Sequence, residues 1–429
     1  MTSRLYYSIV LMLISPFLTL FAALREGNRR LIRWVLVLFT VVYGSTWGIE
    51  GRLGDGYRHW MRVYDYYVGL SFGEFLSGAR DVLLFNSNPL INEDLYIHVI
   101  SYVLGGVLNL PGLFFVVVAL VYGYFFAGSM VKVFEVFPTY RKSIVFFGIA
   151  IVFIMYLDIQ SMNTVRTWTG FWILFYACIS YYQSGKSRYL WLMFLPPLFH
   201  IGFFIMAIPA WIVAFLGRRK TAFAALFFLS FITTIIQPDV AFQELERFEV
   251  GEDKIRAYHV EDQSTYVEGM EFAGESRWYQ QYHHSPIIGL AVSAIAALFI
   301  ISGRYFRDMN YLESSLFSIG ILTMALSNST WFLFAVQNRS ETIAILFILA
   351  AVLIYWQRHY QSQKKINFSF AEKAVLYSAF LTFIPYYFYI AANTIEYLSV
   401  YMIIFPFFPW FSDDAVMTVR EAIGYLIGL

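Results

Sequence analysis

The chain has 429 residues, of which 59% are hydrophobic and only 14% are charged, and its formal net charge is +1. A soluble domain carries about 25% charged residues, so this composition excludes an ordinary soluble fold and predicts an integral membrane protein. The single cysteine, Cys178, excludes an intramolecular disulfide, and there is no zinc-ligand spacing, no phosphate-binding glycine loop and no HExxH motif. We therefore expect no metal, no cofactor and no nucleic-acid partner.

Apolar runs long enough for membrane-spanning helices recur along the chain, because such a helix needs about 20 apolar residues. The candidates are 5–24, 34–49, 111–131, 143–157, 165–182, 221–236, 286–302, 312–328, 341–357 and 371–392. The first of these runs lacks the cleavage site of a signal peptide and is interpreted as a retained helix.

Other apolar segments are interrupted by proline. The short runs 188–199 and 201–217 are predicted to form a hairpin that turns near the pair Pro196 and Pro197. The run 394–411 also contains two prolines and is interpreted as interfacial or re-entrant. Together these segments predict an all-α polytopic membrane protein with about 12 transmembrane segments, within a range of about 11–13.

Basic residues are unevenly divided between the two sets of loops that this arrangement creates. Eighteen of the 30 Lys and Arg residues, but only five of the 29 acidic residues, fall in the short loops on one side. Cytoplasmic loops carry such an excess of positive charge, so both termini are predicted to be extracytoplasmic. We therefore expect one membrane domain over residues 1–429, with two long outer segments at 50–110 and 238–285. The second is acidic, and the functional site should face the same side, where no nucleotide is available.

Two ionisable residues interrupt neighbouring apolar segments. Arg166 stands near the start of the run 165–182, beside the small polar residue Asn163, and His200 follows the Pro-Pro break. A charge at the centre of a membrane helix costs at least about 2.5–3.5 kcal/mol, so such residues usually face a cavity or a partner. A guanidinium is a common partner of phosphate oxygens. We expect both residues in a site, the structural alternatives being a snorkelling arginine and a hydrogen-bonded core histidine.

Arg339 repeats the pattern of Arg166, because it lies among polar residues where the helix 341–357 begins. Two such arginines could hold a pyrophosphate from two sides, whereas the structural alternative is an ion pair between Arg339 and Glu341. Asp55, between two glycines, could be a base, a ligand of an acceptor hydroxyl, or the partner of a nearby arginine. A carboxylate among arginines should have a lowered pKa, which weakens it as a base.

The first outer segment, 50–110, contains further candidates for binding a substrate. Arg58 and Arg62 are four residues apart and would share one face of a helix. An amphipathic stretch around Phe72–Leu84 and the stretch from Leu95 to Val103 suit helices that lie on the outer leaflet. The substrate-binding candidates are Arg52, Arg58, Arg62, Tyr64, Glu93, Tyr96 and Asn163.

Four elements resemble one known family in their order along residues 50–345. The pattern G-D-G-Y-R-H-W-M-R-V-Y, from Gly54 to Tyr64, resembles the Gly-x-Asp…Tyr element of the EpsG family, which is related to the Wzy polysaccharide polymerases. The stretch N-E-D-L-Y-I-H-V-I-S resembles its Glu-x-x-Tyr helix. N-T-V-R-T-W, followed by P-P-L-F-H-I-G, resembles its arginine helix and the run that ends in Phe-His. N-R-S-E-T-I-A resembles its later arginine at a helix start.

The resemblance implies a polymerase of capsule, exopolysaccharide or O-antigen repeat units, in the multi-spanning GT-C class of glycosyltransferases. The donor would be a glycan on undecaprenyl pyrophosphate, and a sugar hydroxyl of a second lipid-linked unit would attack its anomeric carbon with inversion. The expected setting is the periplasmic face of a bacterial inner membrane, with a chain-length regulator and a flippase as further partners. Arg166 and Arg339 would stabilise the leaving group, His200 would act as donor or acid, and Asp55 or Glu93 would orient the acceptor.

Three other functions compete with this interpretation. A flippase for lipid-linked oligosaccharide would also place arginines in a cavity, but it should show internal repeats, and none is detected. A membrane O-acyltransferase would use His200 or His98 as its base, yet neither histidine has a polar residue adjacent in the sequence. An O-antigen ligase would use the same donor with a different acceptor, and the sequence does not separate it from a polymerase.

Overall fold

The computed structural model describes residues 2–50, 55–84, 94–134, 143–235, 285–362, 366–408 and 417–427. Within these ranges every extended regular element is a helix, apart from an isolated antiparallel bridge between Ser399 and Thr418. The all-α prediction is therefore confirmed for the described part of the chain. The predicted site residues Arg52 and Glu93 and nearly all of the acidic segment 238–285 lie outside the described residues.

The first half of the chain forms helices that are often short and irregular. They are α1 Thr2–Ile14, α2 Pro16–Glu26, α3 Arg29–Glu50, α4 Asp55–Arg62, α5 Phe72–Leu83, α6 Leu95–Ser101, α7 Phe114–Val133, α8 Ile144–Met155 and α9 Thr167–Ser184. α4 and α6 each continue into a π-helix, at Val63–Tyr67 and Tyr102–Val107. Short 3₁₀ segments, Pro111–Leu113 and Ile159–Thr164, precede α7 and α9.

The second half contains the longest helix of the described chain. Its helices are α10 Ser187–Leu192, α11 Pro196–Phe199, α12 Phe203–Met206, α13 Ile208–Leu216, α14 Lys220–Thr233, α15 Ser285–Ile301, α16 Arg304–Arg307, α17 Tyr311–Ser329, α18 Phe334–Gln361, α19 Phe370–Thr382, α20 Ile384–Tyr397 and α21 Val419–Ile427. A 3₁₀ turn at Val400–Met402 follows α20.

By length and composition, four helical segments of the described chain could cross a membrane. They are Pro111–Val133, Ile144–Thr164, Ala335–Gln361 and Phe370–Glu396. Shorter apolar helices occur at Leu95–Val107, Phe203–Leu216, Lys220–Thr233 and Ile287–Ile301. Membrane association is therefore consistent with the structure, whereas the total of about 12 spans and the GT-C architecture stay predictions.

Proline divides two of the predicted apolar runs into pairs of helices. The run 5–24 is divided at Ser15, whose side chain accepts a hydrogen bond from Leu18 N at 3.2 Å before α2 begins at Pro16. Pro385 stands at the start of α20 and separates it from α19. Proline lacks the N–H that a helix interior needs but suits a first turn, so each apolar run continues as a second helix.

α18 lies at the centre of the bundle. Every side chain from Ile343 to Leu353 is fully buried, which is typical of a helix that is apolar on all sides and surrounded by other helices. α17 packs closely against it at Gly320, where an added Cβ would lie 2.9 Å from the backbone nitrogen of Ile348. The central helix is consequently held by packing along its whole middle section.

The two ends of α18 carry different polar groups. Arg339 lies in its second turn and Arg358 in its last turn, 19 residues further along, which corresponds to about 28 Å. At the far end Arg358 binds Glu313 of α17 through two hydrogen bonds of 2.6 and 2.9 Å. The end that contains Arg339 holds the candidate site, so α18 connects the two polar regions through an apolar core.

Candidate functional site

A cluster of five ionisable side chains joins distant parts of the chain. We call this the ionic cluster, and its members are Asp55, Asp94, Arg166, His200 and Arg339. They come from the starts of α4 and α6, the N-terminal boundary of α9, the break between α11 and α12, and the second turn of α18. The structure therefore brings together all four predicted catalytic residues, Asp55, Arg166, His200 and Arg339, and adds Asp94.

Asp94 is the most deeply buried member, with 1% of its side chain exposed. Its Oδ2 accepts a 2.6 Å hydrogen bond from Arg166 Nη1 and lies 3.4 Å from His200 Nδ1, while its Oδ1 accepts the backbone N–H of Ile201 at 2.9 Å. Asp94 is the N-cap residue of α6, but its side chain does not cap that helix. Its carboxylate instead joins the α9 boundary to the break after α11.

His200 lies in extended backbone where the proline-containing α11 ends. The Pro-Pro pair starts α11, and the chain leaves helical geometry at His200 before α12 begins at Phe203. The predicted hairpin segments 188–199 and 201–217 are thus divided into the short helices α10 to α13. The break frees the N–H of Ile201 for Asp94 and lets the imidazole of His200 reach between Asp94 and Arg339.

Arg339 donates from Nη1 to His200 Nε2 over 3.0 Å. Glu341 is two residues away on the same helix, and side chains at that spacing point to different sides, so the sequence-based alternative of an Arg339–Glu341 pair is disfavoured. Within the described ranges, no carboxylate lies within ion-pair distance of Arg339. Its guanidinium charge is therefore available to an anion in the site.

Asp55 connects the buried part of the ionic cluster to solvent. Its carboxylate accepts a 2.8 Å hydrogen bond from the exposed Arg58 and lies 3.5 Å from both Arg166 Nη2 and His59 Nε2. Asp55 therefore has Arg58 as a nearby arginine partner and faces Arg166 as well. Two guanidinium groups, those of Arg58 and Arg166, thus neutralise the two carboxylates, and Arg339 adds a positive charge without a carboxylate partner in the described ranges.

The two carboxylates are held in their charged form. Burial alone would raise the pKa of Asp94, but the hydrogen bond from His200 and the charge of Arg166 outweigh it and lower that pKa. Burial opposes ionisation of Asp55 too, yet His59, Arg166 and Arg58 hold its pKa well below the usual range. The expected lowering at Asp55 is confirmed, and both groups are weak proton acceptors near neutral pH.

Of the remaining predicted residues, Tyr96 and Asn163 pack against residues next to members of the ionic cluster. Tyr96 is buried and stacks on Phe199, the residue before His200, with ring centroids 4.2 Å apart. The side chain of Asn163 lies close to Gly56, the residue after Asp55. Asn163 Oδ1 is buried with no hydrogen-bond partner among the described residues, so it could accept a hydrogen bond from a bound hydroxyl.

Arg62 and Tyr64 lie farther along the same chain segment. Arg62 is half-buried at the end of α4, and Tyr64 is exposed in the following π-helix, where it packs edge-on against Trp60 at 5.5 Å. The expectation that Arg58 and Arg62 share a helix face fits their positions in α4, although only Arg58 is seen to bind a member of the ionic cluster.

Two further polar residues, His98 and Asp158, have structural roles. His98 Nε2 donates to the carbonyl of Phe75 at 2.9 Å, so Nδ1 accepts from the Tyr67 hydroxyl at 2.8 Å. Both nitrogens are occupied, and His98 connects α5 to α6 instead of serving as a base. Asp158, which directly precedes the 3₁₀ segment Ile159–Thr164, caps that segment by accepting the N–H of Ser161 at 3.3 Å.

Asp94 is not among the residues predicted from the sequence. The stretch N-E-D-L-Y places Glu93 and Asp94 side by side, and Glu93 is the one that fits the Glu-x-x-Tyr pattern. A usable signal was present, because an aspartate directly before an apolar helix either caps that helix or binds elsewhere. Only the tertiary structure shows that it binds elsewhere, to Arg166 and the His200 break.

Comparison of the chain with protein-family models, curated proteins and solved structures finds no match. The resemblance to the EpsG and Wzy polymerases therefore continues to rest on the four sequence elements. The ionic cluster contains residues from each of those four elements.

Proposed function

We propose that this protein is a membrane glycosyltransferase of the Wzy type. It would transfer a glycan from undecaprenyl pyrophosphate to a sugar hydroxyl of another lipid-linked repeat unit. The observation that carries this proposal is the meeting of Arg166, His200 and two carboxylates with Arg339, whose guanidinium binds the His200 ring and no carboxylate of the described residues. A site of that composition suits a reaction whose leaving group is a lipid diphosphate.

The two arginines of the site suit the charge that develops in this reaction. As the bond between the anomeric carbon and the diphosphate oxygen breaks, the leaving group gains negative charge. Fixed cations near that oxygen stabilise the transition state more than the ground state. Arg339 is half-buried and its guanidinium contacts the neutral ring of His200, and a planar guanidinium can bind two phosphate oxygens at once.

The opposite side of the ionic cluster suits an acceptor sugar. Asp55 and Arg58 lie near the surface and could orient hydroxyl groups, and the buried Oδ1 of Asn163 offers a further acceptor. In this arrangement the donor diphosphate would lie towards Arg166 and Arg339. The uneven distribution of basic residues supports placing the site on the periplasmic side of an inner membrane.

The test uses purified protein in lipid nanodiscs with synthetic lipid-pyrophosphate repeat units, analysed on a gel. We expect a ladder of products that grow by one repeat unit. A single product formed only with a lipid A core acceptor would indicate an O-antigen ligase. Movement of the substrate across a proteoliposome membrane without new glycosidic bonds would indicate a flippase, and either result would contradict the proposal.

A further inference from the structure

The hydrogen-bond partners of His200 determine which of its nitrogens carries the proton. An arginine side chain can only donate, so His200 Nε2, 3.0 Å from Arg339 Nη1, must be the acceptor. In the neutral ring the proton then lies on Nδ1, which points to Asp94 Oδ2 at 3.4 Å. This tautomer differs from the expectation of His200 as a donor, because the nitrogen that faces the site is a proton acceptor.

Asp94 is suited to hold His200 in that tautomer. Its carboxylate is nearly fully buried and is itself fixed by Arg166 and by the N–H of Ile201. A buried carboxylate that binds Nδ1–H orients an imidazole and stabilises the imidazolium that forms when Nε2 takes a proton. The same geometry activates histidine bases in unrelated enzymes, and here Arg339 occupies the place where the proton donor would be.

Burial and the charged groups around His200 shift its pKa in opposite directions. Burial lowers the pKa of His200, Asp94 raises it, and Arg339 and Arg166 lower it further, so the pKa lies below its usual value. Asp55, the other carboxylate of the ionic cluster, lies 3.5 Å from Arg166 Nη2. The imidazole is therefore neutral near pH 7, and removal of Arg339 from Nε2 would both expose the lone pair and make its protonation more favourable.

We propose that His200 is the general base for the acceptor hydroxyl, with Asp94 as its positioning residue and Arg339 as a cover on Nε2 that a bound diphosphate removes. This proposal rests on the proposed function. A diphosphate offers Arg339 a charge-assisted interaction that a neutral ring does not, so donor binding should draw the guanidinium away. The base would then become accessible only when a donor is present.

The chemical step balances without a further reactant. The hydroxyl of the acceptor sugar gives its proton to His200 Nε2 while its oxygen forms a bond to the anomeric carbon of the donor. The bond from that carbon to the diphosphate oxygen breaks, and its electron pair leaves with the diphosphate, next to Arg166 and Arg339. The imidazolium, stabilised by Asp94, later releases its proton to solvent.

The kinetic test compares two variants of His200. His200→Gln keeps a hydrogen-bonding side chain but cannot take up a proton. If His200 is a base, His200→Gln and His200→Ala should therefore lose activity to the same extent. Both variants should lose about 10²–10⁴-fold in polymer formed per folded enzyme, and the wild-type rate should fall as pH decreases through the pKa of His200. A Gln variant with activity far above that of His200→Ala would overturn the base assignment. A wild type that forms no polymer at all would contradict the proposed function instead.

The cover is tested without turnover, by NMR of ¹⁵N-histidine-labelled protein in nanodiscs, with His200 assigned from the spectrum of His200→Gln. Without ligand, we expect protonated Nδ1 and unprotonated Nε2. Saturating undecaprenyl pyrophosphate should shift the Nε2 resonance and raise the pKa of His200. Arg339→Ala should show the raised pKa already without ligand. The opposite tautomer, or bound lipid with an unchanged His200 signal, would overturn the proposal.

Asp94→Asn separates a positioning role from a purely structural one. The change removes the charge that stabilises the Nδ1–H tautomer, so the NMR signals of His200 should show loss of that preference together with a loss of turnover. If Asp94→Asn lowers thermal stability and turnover in proportion while the tautomer is retained, Asp94 has only a structural role and its assignment fails.

Discussion

At the residue scale, the most informative side chain is the carboxylate of Asp94. A buried charge is costly unless it is paired and hydrogen-bonded, and Asp94 has Arg166, His200 and the N–H of Ile201 as partners. Each partner comes from a different part of the chain or from the break after α11. The ionic cluster therefore fixes the relative positions of the helices that carry it, in addition to the chemistry that it could perform.

Gly56 allows α4 to approach the segment before α9. A Cβ at this position would lie 2.5 Å from Asn163 Oδ1 and 2.8 Å from its backbone oxygen, which a flexible side chain could not relieve. We expect Gly56→Ala to destabilise the protein by about 1–3 kcal/mol, because overpacking displaces backbone. It should also displace Asp55 and lower turnover, which thermal unfolding and the polymerisation assay would measure together.

Gly73 provides the matched control, since it lies in α5 with no atom within 4 Å of an added Cβ. Glycine in a helix is less favourable than alanine by about 0.5–1 kcal/mol, so Gly73→Ala should leave the protein equally stable or slightly more stable. Equal behaviour of the two variants would show that the close approach at Gly56 does not matter.

The site was largely predictable at this scale because its members are exceptional for their surroundings. Arg166 and His200 stand out as ionisable residues in apolar segments, and Arg339 repeats the first pattern. Asp94 did not stand out, because an aspartate before a helix is ordinary. Its role depends on contacts 72 and 107 residues away, with Arg166 and Ile201, which no local pattern contains.

At the element scale, two helices at the end remote from the site begin in the same way. α17 and α19 each start with a capping box, formed by Asn310 with Glu313 and by Ser369 with Glu372. In both, the glutamate also binds an arginine from another helix, as Glu313 binds Arg358. One carboxylate thus fixes its own helix start and connects it to a neighbour.

Glu372 allows these two roles to be separated. Arg304 binds it at 2.5 and 3.1 Å, and its side chain is almost fully buried. Glu372→Gln keeps a residue that can complete a capping box but removes the ion pair. Because breaking a buried pair costs about 3–5 kcal/mol, we expect a large fall in the midpoint of thermal unfolding.

Ser369→Ala is the comparison, because it removes the cap and leaves the pair between Glu372 and Arg304. A lost cap costs about 0.5–2 kcal/mol, so this variant should unfold at a temperature between those of wild type and Glu372→Gln. A Glu372→Gln variant that unfolds no earlier than Ser369→Ala would show that the ion pair adds nothing to the cap.

Helix positions could be predicted better than helix ends. The apolar run 111–131 corresponds closely to α7, because an unbroken run of that length has no alternative in a membrane. α18, predicted from 341, begins at Phe334, since the polar residues before 341 continue the helix instead of ending it. Arg339 is consequently held inside a helix, where its position is more rigid than at a loose helix start.

At the scale of the whole molecule, buried ionic groups lie near both ends of the central helix α18. The ionic cluster lies at the end of α18 that contains Arg339, and the pairs of Arg304 and Arg358 lie towards its other end. This division agrees with the sequence-based orientation, in which Arg304 and Arg358 are cytoplasmic and the site is not. The sidedness of the two ends is a prediction from the sequence.

Cysteine labelling measures directly which side of the membrane each segment faces. Ser77 is exposed on α5, in the predicted outer segment, and Ser362 is exposed after α18, in a predicted cytoplasmic loop. The native Cys178 is buried and should contribute little background. In intact cells, Ser77→Cys should react with a membrane-impermeant thiol reagent and Ser362→Cys should react only after lysis. The reverse pattern would place the ionic cluster on the cytoplasmic side and contradict the proposed donor.

In the proposed reaction, the guanidinium of Arg166 acts on a lipid diphosphate in the ionic cluster. Arg166→Lys keeps the positive charge but loses the planar fork that binds Asp94 and could bind phosphate. Arg307→Lys makes the same chemical change at an exposed residue near the other end of the molecule.

The decisive measurement is the amount of undecaprenyl pyrophosphate released per folded enzyme, with wild type and both variants at equal thermal stability. A lost hydrogen bond to a charged group is worth about 1.5–3 kcal/mol, so Arg166→Lys should be slower by roughly 10- to 100-fold while Arg307→Lys matches wild type. Full activity in Arg166→Lys, or an equal loss in both variants, would contradict the account.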